Sequence, residues 1–122
     1  NNLILGVSMI AVCEGFVLAE KLGLDAEKLF AISSKSSGQC WSMTSYCPVP
    51  GPVASSPANR DYKPGFTAAM MTKDLKLAQQ AAQATGAPSP LGAEALALYT
   101  MLCAAGRGGM DFSGVIKLLA GK

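Results

Sequence analysis

The sequence predicts an all-α domain of about five helices, the first of them long and apolar. Three observations predict it. Apolar residues recur at three- and four-residue spacing, no run alternates apolar with polar residues, and residues that cap or break helices fall between the periodic stretches. At 122 residues the chain supports one core and is too small for two, so residues 1–122 are expected to form a single domain.

The first helix is expected from Asn1 to about Lys21. It is apolar nearly all round, which a helix tolerates only where other protein covers most of its sides. Its apolar run, LILGVSMIAVC, is closed by Asn2 and Glu14, short of the roughly 18 residues a membrane span needs, so a buried helix is expected and no membrane. Gly23 is a helix stop. Asp25 then caps a short second helix, with Glu27 in its first turn and Leu29, Phe30 and Ile32 along it.

The stretch from SSGQCWS to YKPG holds five of the seven prolines, the only Trp and two of the three Tyr. It is too Pro-rich for regular structure beyond a turn or two, and its aromatics argue for an ordered loop. A helix follows from Phe66 to Ala84, then a TGAPSP turn in which Ser89 is the N-cap and Pro90 the first residue of a helix to about Ala105. Asp111 caps a last helix carrying Phe112, Val115, Ile116, Leu118 and Leu119.

One residue sits against this pattern. On the wheel of the Phe66 helix, Thr72, Lys76, Gln79, Gln80 and Gln83 form the polar side, while Asp74 points the other way among Met70, Met71, Leu77, Ala78 and Ala81. Lys73 lies at the boundary. A carboxylate on an apolar face costs several kcal/mol unless it is paired or hydrogen-bonded. A nearby cation or backbone donors are expected to meet it.

Half the residues are hydrophobic, 15% are charged and the mean hydropathy is +0.30, so some apolar surface is expected to meet a partner or a further domain. The net charge of +2 is scattered, with no basic run, which excludes nucleic acid as the expected partner. Four cysteines without CxxC spacing, and no His, exclude a zinc site and suit free thiols in a reducing compartment. The chain does not start with Met and is expected to be part of a longer protein.

The segments SSGQCWSMTSYCPVPG, ANRDYKPGF and MTKDLKLA, in this order and after the NN that opens the first helix, resemble the 3-hydroxyisobutyrate dehydrogenases of the β-hydroxyacid dehydrogenase family. The resemblance runs from Asn1 to about Leu119 and is to the helical C-terminal domain, of the 6-phosphogluconate dehydrogenase C-terminal-like type. It implies an enzyme that oxidises 3-hydroxyisobutyrate to methylmalonate semialdehyde with NAD, in valine catabolism. It also implies an N-terminal Rossmann domain, absent from this chain, that binds most of the cofactor, and a homo-oligomer, dimer or tetramer. Location would be the cytoplasm of a bacterium or the mitochondrial matrix of an animal. The family's acid/base Lys would stand four residues before Asn2, outside this chain, so the chain alone is expected to be inactive.

Carried onto these residues, the resemblance makes Asn2 a supporting catalytic and substrate-holding residue and gives Trp41 and Tyr46 the walls of the substrate pocket. Lys73 and Asp74 close the site, Lys73 near both nicotinamide and substrate, and Phe66 lies near the nicotinamide. Each has a plainer role open to it: Asn2 as a helix-start residue, Trp41 as the pin of its loop, Phe66 as core, Lys73 and Asp74 as a pair that ties helices together. No residue is assigned to a metal. Two other functions remain beside the first: a related β-hydroxyacid dehydrogenase branch, such as a semialdehyde reductase or a γ-hydroxybutyrate enzyme, and a non-catalytic helical dimerisation module. The WS....Y.PVPG loop speaks against the former, and the joint presence of Asn2, Trp41, Tyr46, Lys73 and Asp74 against the latter.

Overall fold

A computed structural model describes residues Asn1–Lys122. Six α-helices occur in the order α1 (Asn2–Lys21), α2 (Ala26–Ser33), α3 (Trp41–Thr44), α4 (Ala68–Thr85), α5 (Pro90–Leu102) and α6 (Val115–Leu119). The sixth helix beyond the five expected is α3, one turn inside the Pro-rich loop. No strand forms; Thr67 and Asp111 make a single antiparallel bridge.

The first helix is the axis of the fold. α1 touches each of the other five helices, which is how a helix apolar on nearly every side keeps Met9, Cys13 and Phe16 out of water. By length and composition alone its 20 residues could cross a membrane; here it is the central helix of a packed bundle. Coverage is incomplete, because Ile4, Leu18 and Leu22 stay exposed. The helix ends where Gly23 adopts φ 77°, its N–H donating to the Glu20 carbonyl while the Leu24 N–H reaches Ala19.

Asp25 caps α2 as expected, accepting from the Lys28 N–H at 3.2 Å. Yet α2 buries no residue fully and leaves Ile32 exposed, since α1 covers only one of its sides. The loop that follows is ordered by side chains. Asn59 accepts from the Gly51 N–H and donates to the carbonyl of Val53, and a 3₁₀ turn at Pro57–Arg60 leads to Tyr62, whose hydroxyl donates to the Pro48 carbonyl at 2.8 Å.

Two boundaries and one cap differ from expectation. Thr67, not a residue before Phe66, caps α4, accepting from the Met70 N–H, so Phe66 precedes the helix. Ser89 and Pro90 do stand at the N-cap and first position of α5 as expected, but the Ser89 hydroxyl makes no cap bond and donates to Gln79 Oε1 instead. α5 stops at Leu102 and unwinds through a π turn at Cys103–Arg107, where Gly106 has φ 78°. Asp111 caps a 3₁₀ turn, Phe112–Gly114, which runs into α6.

The faces of α4 also turn out differently. Its buried side is Ala68, Met71, Thr72 and Leu75, while Met70 and Leu77 are exposed. Thr72 enters the core because its hydroxyl is satisfied within the helix, donating to the Ala68 carbonyl at 2.8 Å. Asp74 therefore sits beside the buried stripe, on the side of exposed Met70 and Leu77, and not within the core face.

Candidate functional site

Asp74 meets its partner from the far end of the chain. The side-chain amide of Asn2, on the first turn of α1, donates to Asp74 Oδ2 at 2.6 Å. The expectation was a cation or backbone donors; the short contact is a neutral amide, and a cation stands further off, with Lys73 Nζ 3.7 Å from Asp74 Oδ1. Side-chain exposure is 24% for Asp74 and 68% for Lys73, so the ion pair itself contributes ~0–1 kcal/mol. A carboxylate accepts only, so the Asn2 amide must turn its NH2 toward Asp74. Its Oδ1 accepts from Asn1, and one N–H is left over.

The aromatics gather on the other side of Asn2. Trp41 opens α3 and Tyr46 follows that turn, so the two rings stack with centroids 5.0 Å apart. Tyr46 then leans on Phe112 at 5.3 Å, and Phe66 meets Phe112 edge-on at 5.8 Å. Asn2, Leu5, Trp41, Tyr46, Gly65, Phe66 and Phe112 line one cleft of about 340 Å³. A neighbouring hollow of about 470 Å³ along α1 shares Leu5 and Trp41 with it. Of the six residues singled out in the sequence, Asn2, Trp41, Tyr46 and Phe66 line the cleft, Asp74 is bonded to Asn2, and Lys73 pairs with Asp74.

Leu5, Gly65, Phe112 and Asp111 were not singled out for the site. Gly65 has a steric reason to be there: a Cβ on it would lie 2.6 Å from the Tyr46 hydroxyl. Asp111 was legible only as a cap. Buried completely, it accepts from the Tyr46 hydroxyl at 2.7 Å and from the N–H groups of Gly65 and Phe66 at 3.0 and 3.2 Å.

Burial raises the pKa of several groups and so keeps them neutral. The Tyr46 phenol lies above its ordinary value through burial first and its bond to Asp111 second. Burial likewise pushes Tyr62 up to about 12 and Cys47 to about 11, and raises Tyr99 and Cys13. The folded chain then keeps protons that the unfolded chain loses near pH ~10 for tyrosine and ~8.5 for cysteine. Stability is full below those values and falls as pH rises through the folded ones. Alkaline titration is expected to bring tyrosinate absorbance and loss of helical circular dichroism together; tyrosinate forming near pH ~10 with the helices intact would contradict this.

Comparison with known proteins identifies the relatives of the chain. The family model described as NAD-binding of NADP-dependent 3-hydroxyisobutyrate dehydrogenase matches residues 1–119. The probable 3-hydroxyisobutyrate dehydrogenase of Mycobacterium tuberculosis is 53% identical over 119 residues, covering 98% of this chain and 40% of the relative. The mitochondrial 3-hydroxyisobutyrate dehydrogenase of Drosophila melanogaster is 48% identical, over 98% of this chain and 37% of its own length. The solved structure of the M. tuberculosis enzyme with L-serine superposes with a TM-score of 0.93 at 53% identity, again over 98% of this chain and 40% of that one. A 3-hydroxyisobutyrate dehydrogenase structure from Salmonella typhimurium gives 0.82 at 28% identity, over 96% and 39%. The chain thus spans about 40% of the length of the mycobacterial relative. Matched along nearly all of its residues, the chain belongs to the NAD-binding 3-hydroxyisobutyrate dehydrogenase family.

Proposed function

We propose that this chain is the helical, substrate-side domain of a 3-hydroxyisobutyrate dehydrogenase, which oxidises 3-hydroxyisobutyrate to methylmalonate semialdehyde with NAD as a step of valine breakdown. The observation that carries the reading is the cleft itself: Asn2, Trp41, Tyr46 and Phe66 line it, and Asn2 links it to Asp74 and Lys73.

A small hydroxy acid needs donors for its carboxylate or hydroxyl, and an apolar wall that keeps water from the carbinol carbon. The leftover N–H of Asn2 is such a donor, aimed by Asp74. Trp41, Tyr46, Phe66 and Phe112 make the wall and suit a methyl-branched acid. The proton of the hydroxyl goes to the family's lysine, which by resemblance precedes Asn2 by one helical turn and so shares its face of the helix.

The residues present fit one end of a nicotinamide cofactor. Half-buried Phe66 offers an aromatic edge at the cleft, and the exposed Lys73 ammonium is open to an anion. The sequence contains no glycine-rich phosphate turn, so the rest of the cofactor falls to a Rossmann-type domain outside these 122 residues. The chemistry that a bound nicotinamide would supply there is acceptance of the hydride. Exposed Ile4, Leu18, Leu22 and Leu91 provide apolar surface for that domain and for a second subunit to cover. The cytoplasm of a bacterium, or the mitochondrial matrix of an animal, is the matching location.

The test is the full-length protein assayed with 3-hydroxyisobutyrate and NAD, beside Lys73→Ala. Loss of a charge-assisted contact of roughly 1.5–3 kcal/mol predicts kcat/KM lower by about 10- to 100-fold. A folded variant with unchanged activity would return Lys73 to a structural role, and an inactive wild type would overturn the substrate.

A further inference from the structure

The cleft is shaped by a residue that does not line it. Asp111 is fully buried, and both of its oxygens are saturated. Oδ2 accepts from Tyr46 Oη at 2.7 Å, Gly65 N at 3.0 Å and Phe66 N at 3.2 Å. Oδ1 accepts from Ser113 N at 2.9 Å and Ser113 Oγ at 2.6 Å. Three of these donors belong to cleft residues, and the next residue in the chain, Phe112, is a fourth cleft residue. The backbone adds to the tie, since the Asp111 N–H donates to the Tyr62 carbonyl and the Phe112 N–H to that of Phe66. A helix or turn cap needs only the Ser113 bonds. The three bonds on Oδ2 do something else: they join the loop after α3 to the turn before α4.

Resting on the function proposed above, we propose that Asp111 is the positioning residue of the substrate cleft, and that it holds Tyr46 as a wall able to accept but not to donate a hydrogen bond toward the substrate. A phenol has one proton to give. That of Tyr46 is committed to Asp111, and all five neighbours of the carboxylate are donors, so the direction cannot reverse without stranding one of them. A substrate carboxylate placed at Tyr46 would find no donor there and a buried acidic group one hydroxyl behind. It is thereby steered to the Asn2 end of the cleft, where a free N–H waits. What fits against Tyr46 is an apolar group such as the methyl branch, or a hydroxyl that donates. The raised pKa of Tyr46 agrees, because it removes this phenol as an acid or base near neutral pH.

The experiment measures kcat and KM separately for the full-length wild type, Tyr46→Phe, Asp111→Ala, Asp111→Asn and the double variant Tyr46→Phe with Asp111→Ala. Tyr46→Phe keeps the ring but cuts its tether, and KM is expected to rise about tenfold while kcat changes much less. Asp111→Ala should raise KM at least as much, and the double variant no further than Asp111→Ala, because the bond is already gone. Asp111→Asn retains an oxygen for the Gly65 and Phe66 N–H groups and for Tyr46, and should recover most of the loss. Unchanged KM in folded Asp111→Ala and in Tyr46→Phe would overturn the proposal. So would a fall in kcat for Tyr46→Phe as large as its rise in KM, which would make Tyr46 a direct participant. If Asp111→Ala does not fold, Tyr46→Phe decides alone by the same criterion. A wild type inactive on 3-hydroxyisobutyrate would defeat the functional reading instead. Crystal structures of the same variants would then decide the positioning, with a displaced Trp41–Tyr46 stack upholding it and an unmoved one overturning it.

Discussion

Asp74→Ala in the full-length protein is expected to lower kcat/KM for 3-hydroxyisobutyrate by about a hundredfold, the scale of loss that follows misplacement of a reacting group by ~1 Å. The argument starts from the Asn2 amide. It donates to Asp74 at 2.6 Å, and this bond decides which end of the amide faces the carboxylate and where its spare N–H points. Without Asp74 the amide can rotate, and the ion pair that holds Lys73 is lost as well. Asn2→Ala should cost a similar factor. The double variant should cost much less than the product of the two, because each single change already breaks the shared bond. Steady-state kinetics on variants matched for helical circular dichroism provides the check. Full activity in folded Asp74→Ala would reduce the Asn2–Asp74 bond to a tie between α1 and α4.

The largest effect on stability is expected at Phe112. It is 1% exposed, and it supports both Tyr46 and Phe66 in the aromatic row. Its carbonyl also accepts from the Tyr99 hydroxyl at 3.2 Å, deep in the core. Phe112→Ala keeps the backbone bonds and removes the ring, leaving a cavity where the loop, the turn before α4 and the 3₁₀ turn meet. The expected cost is about 3–5 kcal/mol, against a total of roughly 5–15 kcal/mol for a domain of ordinary stability. Urea unfolding of this chain should show the midpoint fall steeply with little change in slope. A loss below about 1 kcal/mol would mean that the neighbouring rings close over the gap, and that the aromatic row is not a rigid wall.

Much of the helical layout was legible because it is written locally. Asp25 caps α2 through its own turn, Gly23 ends α1 through a left-handed residue that few side chains tolerate, and Pro90 sits where a helix has no use for an N–H. Legibility failed where a polar side chain chose between local and distant partners. Ser89 reads as a cap but bonds to Gln79, and Asp111 reads as a cap yet also reaches back to Tyr46, Gly65 and Phe66. The family resemblance named Asn2, Trp41, Tyr46, Phe66, Lys73 and Asp74 from short motifs. It could not reach Phe112 or Asp111, which belong to none of the motifs that carried it.

By itself, the sequence determined the all-α class, the order of the helices and the ordered character of the Pro-rich loop. These follow from three- and four-residue periodicity, capping residues and composition, all of which act over one or two turns of chain. Tertiary structure alone decided which face of α4 is buried, with Thr72 inside and Leu77 outside, and which group answers Asp74. Periodicity states which residues share a face, but the face that meets the core depends on where the other helices lie. Asn2 and Asp74 are 72 residues apart, and only the packing of α1 against α4 brings an amide to that carboxylate.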